Sequence, residues 1–193
     1  QDAMVKMKIA PELFRKVIDR ILEFYLRANE IFFEYTKGKL GAVLIGNDFG
    51  TQTGLIVSPE DLREFVFPGT KRLIEQAHSY GVKVVHHSCG AISEIIPDLM
   101  KCGADVIHPI QTLAKGMEPR SLKERFGSRV SFAGGVDAQH LLVNGSAEEV
   151  REKVRELREI FPTGLIVSPS HEAILPDIAP ANIRAMSEAM KKL

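Results

Sequence analysis

Short apolar runs alternate with longer amphipathic segments along the chain, and this alternation predicts the secondary structure. Five apolar runs are predicted to be buried strands: residues 42–46, 82–85, 104–107, 130–133 and 165–167. In the segments between them, apolar residues recur at the three- and four-residue spacing of a helix with one buried face. Helices are predicted over residues 11–35, 58–80, 92–100, 119–125, 146–159 and 180–192. Short strands that alternate with helices are typical of a parallel sheet covered by helices.

Two of the predicted helices begin at sequence patterns that cap a helix. Ser58 is followed by Pro59 and, three residues on, by Asp61, which is the pattern of a serine cap with proline in the first turn. Ser146 and Glu149 have the spacing of a capping box. Both patterns support the helix boundaries that the apolar spacing predicts.

Polar side chains follow every predicted strand, which favours a barrel over an open nucleotide-binding sheet. The segment after the first strand, residues 46–50, lacks the glycine-rich dinucleotide fingerprint. In a (β/α)8 barrel the active site is built from the loops after all the strands. Five strands in 193 residues are too few for such a barrel, which has about 250 residues. We therefore predict an α/β fold that is the C-terminal part of a (β/α)8 TIM barrel, a single domain over residues 1–193 without the first three strands. The open sheet edge would be covered by another chain, rearranged or left exposed.

Composition narrows the classes of partner. The chain has 25 basic and 25 acidic residues, so its formal net charge is zero, whereas nucleic acid and anionic membranes attract a basic excess. Its longest apolar runs are far shorter than the ~20 residues that span a bilayer, and the N-terminus lacks the apolar core of a signal peptide. Two cysteines do not form a disulfide framework. We expect a soluble cytoplasmic protein that acts on a small molecule.

The strongest candidate for chemistry is a histidine and a cysteine at the end of the second strand. Residues two apart on a strand point to the same side, so the side chains of His87 and Cys89 should converge. His171 follows the last strand and reaches the same volume if both strands lie in one parallel sheet. One thiolate and two imidazoles suit a three-ligand zinc site with an open fourth position. The alternative is a structural strand end with Cys89 as a small core residue.

Several separated motifs, in order along the chain, resemble the uroporphyrinogen decarboxylase superfamily. The resemblance covers residues 45–190 approximately, with matching segments at 47–52, 87–90, 105–111, 134–139, 168–171 and 180–183. One branch of this superfamily consists of metal-free porphyrinogen decarboxylases. Another consists of zinc-dependent methyltransferases that activate a thiol and work with a corrinoid. The resemblance thus implies an enzyme fold and two alternative reactions.

The resemblance to the methyltransferase branch also implies a metal ligand set. His87 and Cys89 match the first two zinc ligands of that branch, and His171 stands where a third ligand, usually cysteine, is expected. One zinc ion per chain would lower the pKa of a substrate thiol, and the thiolate would attack a methyl group on a corrinoid carried by a partner protein. In the decarboxylase branch a histidine occupies the position of His171 as well, where it would act as a hydrogen-bonding catalytic residue.

The remaining candidates are polar residues in the loops after the strands. Asp48 is predicted to be catalytic, either as an oxygen ligand or as a carboxylate that orients a ligating histidine; the alternative is a loop cap. Substrate contact is predicted for four further residues, for which loop hydrogen bonding is the alternative: Gln52, Gln111, Asp137 and Gln139. We predict that Cys102 is a core residue.

Three functions are consistent with this sequence. The first is zinc-dependent methyl transfer between a corrinoid and a thiol or similar acceptor. The second is metal-free, uroporphyrinogen decarboxylase-like removal of carboxyl groups, in which His171 and Asp48 contact a polycarboxylate substrate. The third is a non-catalytic barrel fragment that serves in an assembly. The resemblance also implies a homodimer, since dimers are frequent in this superfamily.

Overall fold

The computed structural model describes residues 2–191 and has an α/β architecture. The five strands form one sheet with the order β1-β2-β3-β4-β5, and the pairings of β3 with β4 and of β4 with β5 are parallel. The strands are β1 (Ala42–Gly46), β2 (Lys83–His87), β3 (Val106–Ile110), β4 (Ser131–Val136) and β5 (Leu165–Pro169). Five strands in one sheet, with helices between them, confirm the α/β class that the sequence predicted.

The helices of the described residues fill the segments between and around the strands. They are α1 (Asp2–Ile9), α2 (Pro11–Tyr35), α3 (Pro59–Asp61), α4 (Phe67–Ser79), α5 (Ile96–Cys102), α6 (Pro119–Phe126), α7 (Leu141–Asn144), α8 (Ala147–Ile160) and α9 (Pro180–Lys191), with a π-turn over Leu62–Val66. Both predicted caps are present: the Ser58 hydroxyl accepts from the Asp61 N–H, and Ser146 and Glu149 form a complete capping box. The apolar spacing predicted neither α1 nor α7.

Two predicted helix boundaries were wrong, and proline explains both. The helix predicted over residues 92–100 begins only at Ile96, since Pro97 is favoured in a first helical turn and has no N–H to donate to a preceding one. The helix predicted over residues 58–80 is divided into α3, the π-turn and α4. Pro68 is the second residue of α4, two positions after the π-turn, where its missing N–H is tolerated.

Strands β2 to β5 extend further toward their C-termini than the apolar runs predicted. His87 is the last residue of β2, and His108 lies inside β3. The apolar pattern ends at the first polar side chain, but the backbone remains extended beyond it. Residues predicted to lie in loops are thus held by the sheet.

Two compact units can be distinguished within the chain, and the predicted single domain over residues 1–193 stays a prediction. The first unit comprises residues up to 46, 56–86 and 94–105, and the second comprises 47–55, 87–93 and the residues from 106 onward. In the second unit, residues of β4 and β5 pack with α8 and α9 around a core that includes Val136, Val154, Leu157, Val167 and Met186. All candidate site residues belong to this second unit.

In the first unit, helix α2 buries one face and exposes a second apolar face. Leu22 and Phe33 are buried, and the Phe33 ring lies 5.3 Å from the Tyr80 ring. The exposed apolar residues of the helix are Leu13, Val17, Ile21, Phe24, Tyr25, Ile31, Phe32 and Tyr35. Among the described residues, no helix is both long and apolar enough to cross a membrane.

Candidate metal centre

Two loops of the second unit are joined by hydrogen bonds at the ends of β1 and β2. The Cys89 N–H donates to Asp48 Oδ1 at 2.8 Å, and the Phe49 N–H donates to the fully buried Ser88 hydroxyl at 3.0 Å. The Ala91 N–H donates to the Thr51 carbonyl at 2.7 Å. Each loop thus accepts hydrogen bonds from backbone N–H groups of the other. These bonds fix the backbone position of Cys89.

Glycine is required where these two loops meet. Gly90 has φ +89°, and a Cβ at this position would lie 2.4 Å from the carbonyl carbon of Gly50 and 2.7 Å from the Thr51 oxygen. A Cβ on Gly50 would in turn lie 2.8 Å from the Cys89 oxygen. The absence of both side chains therefore permits the close approach of the loops.

Strand β3 supports the cysteine loop from its other side. The Ser88 N–H donates to the His108 carbonyl at 2.8 Å, and the Gly90 N–H donates to Gln111 Oε1 at 2.8 Å. Between two paired positions, β3 has one residue more than β4, and His108 lies in this β-bulge. Bulges redirect side chains, and the His108 Nδ1 lies 2.9 Å from the Nδ1 of His87.

Side chains at the end of β2 and in the loops after β1, β2 and β5 bring potential metal ligands together. His87 Nε2 lies 3.2 Å from Asp48 Oδ1 and 3.8 Å from Cys89 Sγ, so imidazole and sulfur come together although β2 ends at His87 and Cys89 lies in the loop after it. Glu172 Oε2 is 3.7 Å from Cys89 Sγ, 3.8 Å from His87 Nε2 and 3.6 Å from His171 Nε2. Two groups of three donors result, Asp48–His87–Cys89 and Cys89–His171–Glu172, with Cys89 common to both.

The electrostatics of the cluster oppose a free thiolate. Burial, and then the neighbouring carboxylates of Asp48 and Glu172, raise the pKa of Cys89 to about 12. Burial, and then the adjacent His87 ring, lower the pKa of His108, so this ring favours the neutral form. A thiol between two carboxylates loses its proton readily only when a cation compensates the charge.

The donor types in each of the two groups of three suit a zinc ion. Zinc takes sulfur, imidazole and carboxylate ligands at bond lengths of about 2.0–2.3 Å, so the donors of a tetrahedral site lie roughly 3.3–3.8 Å apart. The distances from Glu172 Oε2 to the three other donors, 3.6–3.8 Å, fall within this range. The sulfur ligand distinguishes the set from the all-oxygen sites that magnesium and calcium prefer.

The predicted substrate-binding residues have different surroundings. Gln52 and Gln139 are exposed. Gln111 is buried and uses its side-chain oxygen on the Gly90 N–H. The Asp137 carboxylate accepts from three successive backbone N–H groups, starting with that of Gln139, and so caps the turn before α7. Substrate contact by these four residues stays a prediction.

Sequence reasoning missed Glu172 and the role of His108 in the cluster. Glu172 directly follows His171 in the loop after β5, and a carboxylate beside a candidate histidine ligand was a signal that pointed to it. His108 is one of several polar residues near strand ends. Because it lies at a bulge, the alternation of sides along a strand does not predict the direction of its side chain. Cys102, predicted to be core, is buried, and burial raises the pKa of this thiol to about 11.

The known proteins that are similar to this chain include two kinds of enzyme. The family model for uroporphyrinogen decarboxylase (URO-D) matches residues 1–193. A methylated-thiol–coenzyme M methyltransferase from Methanosarcina mazei is 26% identical over 149 residues, which are 77% of this chain and 37% of that protein. A uroporphyrinogen decarboxylase from Pelobacter propionicus is 24% identical over 188 residues, 97% of this chain and 51% of that protein.

A solved structure shows the same fold. The methyltransferase from Methanosarcina mazei superposes with a TM-score of 0.76 at 20% identity, over 98% of this chain and 52% of the other. The chain thus spans about half the length of that protein and of the decarboxylase from Pelobacter propionicus. Because the family model matches the full length of the sequence, this chain belongs to the uroporphyrinogen decarboxylase (URO-D) family.

Proposed function

We propose that the chain is part of a zinc-dependent methyltransferase that moves a methyl group between a corrinoid and a thiol or similar acceptor. The observation that carries the proposal is the approach of His87 Nε2 and Cys89 Sγ to 3.8 Å, with Glu172 Oε2 within 3.8 Å of both. A metal-free reaction has no use for a thiol between two carboxylates. The similarity to a methylated-thiol methyltransferase supports the same reaction class.

The residues of this chain would hold and orient a zinc ion. His87, Cys89 and His171 are the proposed ligands, and Glu172 and Asp48 are oxygen donors beside them. The backbone N–H of Cys89 is fixed by Asp48, so the sulfur is positioned by both loops. When bound, zinc lowers the pKa of a substrate thiol and keeps it as a thiolate nucleophile. The methyl donor would be a corrinoid on a partner protein.

Metal-free decarboxylation is the second candidate, and the decarboxylases that match almost the whole chain favour it. In that reaction His171 would hydrogen-bond to a substrate that carries several carboxylates. The charges of the site oppose this alternative, because Asp48 and Glu172 are the acidic groups nearest His87 and would repel a polyanion. We therefore favour methyl transfer.

We further propose that the chain supplies the C-terminal part of a (β/α)8 barrel, as a single domain. Its five strands and its coverage of about half of the matching methyltransferase structure support this view. A non-catalytic role in an assembly, or as a homodimer, is the alternative. Activity that appears only after the other barrel half is added would favour the barrel proposal over a non-catalytic role.

Metal content tests the proposed site directly. Inductively coupled plasma mass spectrometry on the purified protein should find about one zinc per chain. The Cys89→Ala variant should lose this zinc, whereas the control Cys102→Ala, which removes a buried thiol in the first unit, should retain it. Wild-type protein that holds no zinc and takes up none from solution would contradict the proposal and favour the decarboxylase reaction. Equal zinc loss in both variants would show that Cys89 is not a specific ligand.

A further inference from the structure

The two ring nitrogens of His87 have different neighbours. Nδ1 lies 2.9 Å from the Nδ1 of His108, and Nε2 lies 3.2 Å from Asp48 Oδ1 and 3.8 Å from Cys89 Sγ. A neutral imidazole carries one N–H, on one of its two nitrogens. A hydrogen bond between two Nδ1 atoms needs one hydrogen, which belongs either to His87 or to His108.

The position of that hydrogen depends on what faces His87 Nε2. Without a cation, we expect Nε2 to carry the hydrogen and donate it to the Asp48 carboxylate at 3.2 Å, and Nδ1 to accept from the Nδ1–H of His108. A metal ion instead requires the lone pair of Nε2, and the hydrogen of His87 then lies on Nδ1. In that state His87 donates and His108 accepts.

We propose that His108 is a positioning residue whose Nδ1 accepts a hydrogen bond from His87 when metal binds, and that this bond reverses direction between the metal-free and metal-bound states. The inference rests on the proposed metal site and adds a residue to it. Both rings exchange their tautomers in the reversal, while the number of protons on the pair stays the same. A ligating histidine that donates its second N–H to a fixed acceptor is held in one orientation and is a more basic ligand.

The structure holds His108 firmly enough for this role. Its side chain lies at the bulge in β3, and the residue is 9% exposed. Its backbone carbonyl accepts the Ser88 N–H at 2.8 Å, one residue from each of His87 and Cys89 in the sequence. His108 therefore contacts the segment of the proposed ligands, residues 87–89, through both its backbone and its ring.

Two substitutions of His108 distinguish the effect of its hydrogen-bond acceptor from the effect of its side-chain packing. In His108→Asn the side-chain Oδ1 is as many bonds from Cα as the histidine Nδ1, so an acceptor remains near its place. His108→Leu fills much of the same volume without a polar atom. Zinc affinity, measured by competition with a chromophoric chelator, should fall about 10- to 100-fold in the leucine variant. The asparagine variant should stay within a few-fold of the wild type.

Tautomers in the wild-type protein give a second readout that needs no variant. Long-range nitrogen–proton NMR spectra of the imidazole rings should place the His87 hydrogen on Nε2 in the metal-free protein and on Nδ1 after zinc is added. An unchanged His87 tautomer would overturn the inference, and so would a leucine variant with wild-type affinity or an equal loss in both variants. These results would leave the metal site itself intact. If the wild type bound no zinc at all, both the inference and the proposed function would fail.

Discussion

Gly90 is the point of closest approach between the two loops that position Cys89, and its replacement by alanine tests whether this contact is essential. A Cβ at Gly90 would lie 2.4 Å from the carbonyl carbon and 2.6 Å from the oxygen of Gly50. Ordinary contacts of carbon atoms are about 3.5–4.0 Å. The Gly50 backbone must therefore move by about 1 Å, and Gly50 lies between Asp48 and Thr51, which accept hydrogen bonds from the other loop.

Two costs contribute to the expected loss of stability. A left-handed backbone with a side chain costs roughly 1–2 kcal/mol. Movement of Gly50 also breaks the two hydrogen bonds that its neighbours Asp48 and Thr51 accept, at about 1 kcal/mol each. We expect Gly90→Ala to lower the free energy of unfolding by about 3–4 kcal/mol and to weaken zinc binding, because the backbone N–H of Cys89 loses its Asp48 partner.

Two other glycines provide matched controls for Gly90→Ala in urea unfolding experiments. Gly81 has φ +74° but no atom within 4 Å of an added Cβ, so Gly81→Ala carries the backbone strain alone, roughly 1–2 kcal/mol. Gly54 has open space and no positive φ, so Gly54→Ala should change stability by less than about 0.5 kcal/mol. If Gly90→Ala cost no more than Gly81→Ala, the close contact between the loops would have no energetic importance.

Two further predictions concern the first unit. Phe33 is 2% exposed and Phe32 is 46% exposed on the same helix. In urea unfolding, Phe33→Ala should lower the free energy of unfolding by about 3–4 kcal/mol and Phe32→Ala by less than about 1 kcal/mol. Equal losses would contradict the described burial of α2. The Arg63 guanidinium donates a hydrogen bond to the Asp98 carboxylate and lowers the pKa of that carboxyl. The stabilisation from this ion pair is therefore complete above the unfolded pKa of Asp, about 3.9, and is lost as the pH falls through the lower folded pKa of Asp98. Asp98→Asn should therefore be less stable than the wild type at pH 7, and the difference in urea midpoint should narrow on acidification; a constant difference down to pH 2 would refute this origin.

The sequence predicted the features that depend on local periodicity. The apolar spacing placed α2 at Pro11–Tyr35 and β1 at Ala42–Gly46 with the bounds that the structure has. The sequence also predicted that the side chains of His87 and Cys89 converge, because they are two residues apart in one short segment, although Cys89 lies just beyond the end of β2. Local rules also located the cap at Ser146.

Features that depend on contacts between distant segments were not predictable in the same way. Glu172 comes close to Cys89 across 83 positions of sequence. His108 lies at a bulge, where one additional residue changes the side to which the following side chains point. All of β3 after Val106 is buried, so no alternation of polar and apolar residues indicated the direction of the His108 ring.

The contact between Gly50 and Gly90 has a consequence for how this protein can change during evolution. Each residue limits the volume available to the other, since a Cβ on either meets backbone atoms of the opposite loop. Once one substitution has separated the loops, a second at the partner position has little left to disrupt, so the two effects should not be additive. The two segments should therefore show epistasis: the cost of a change in one loop depends on which residue the other loop carries.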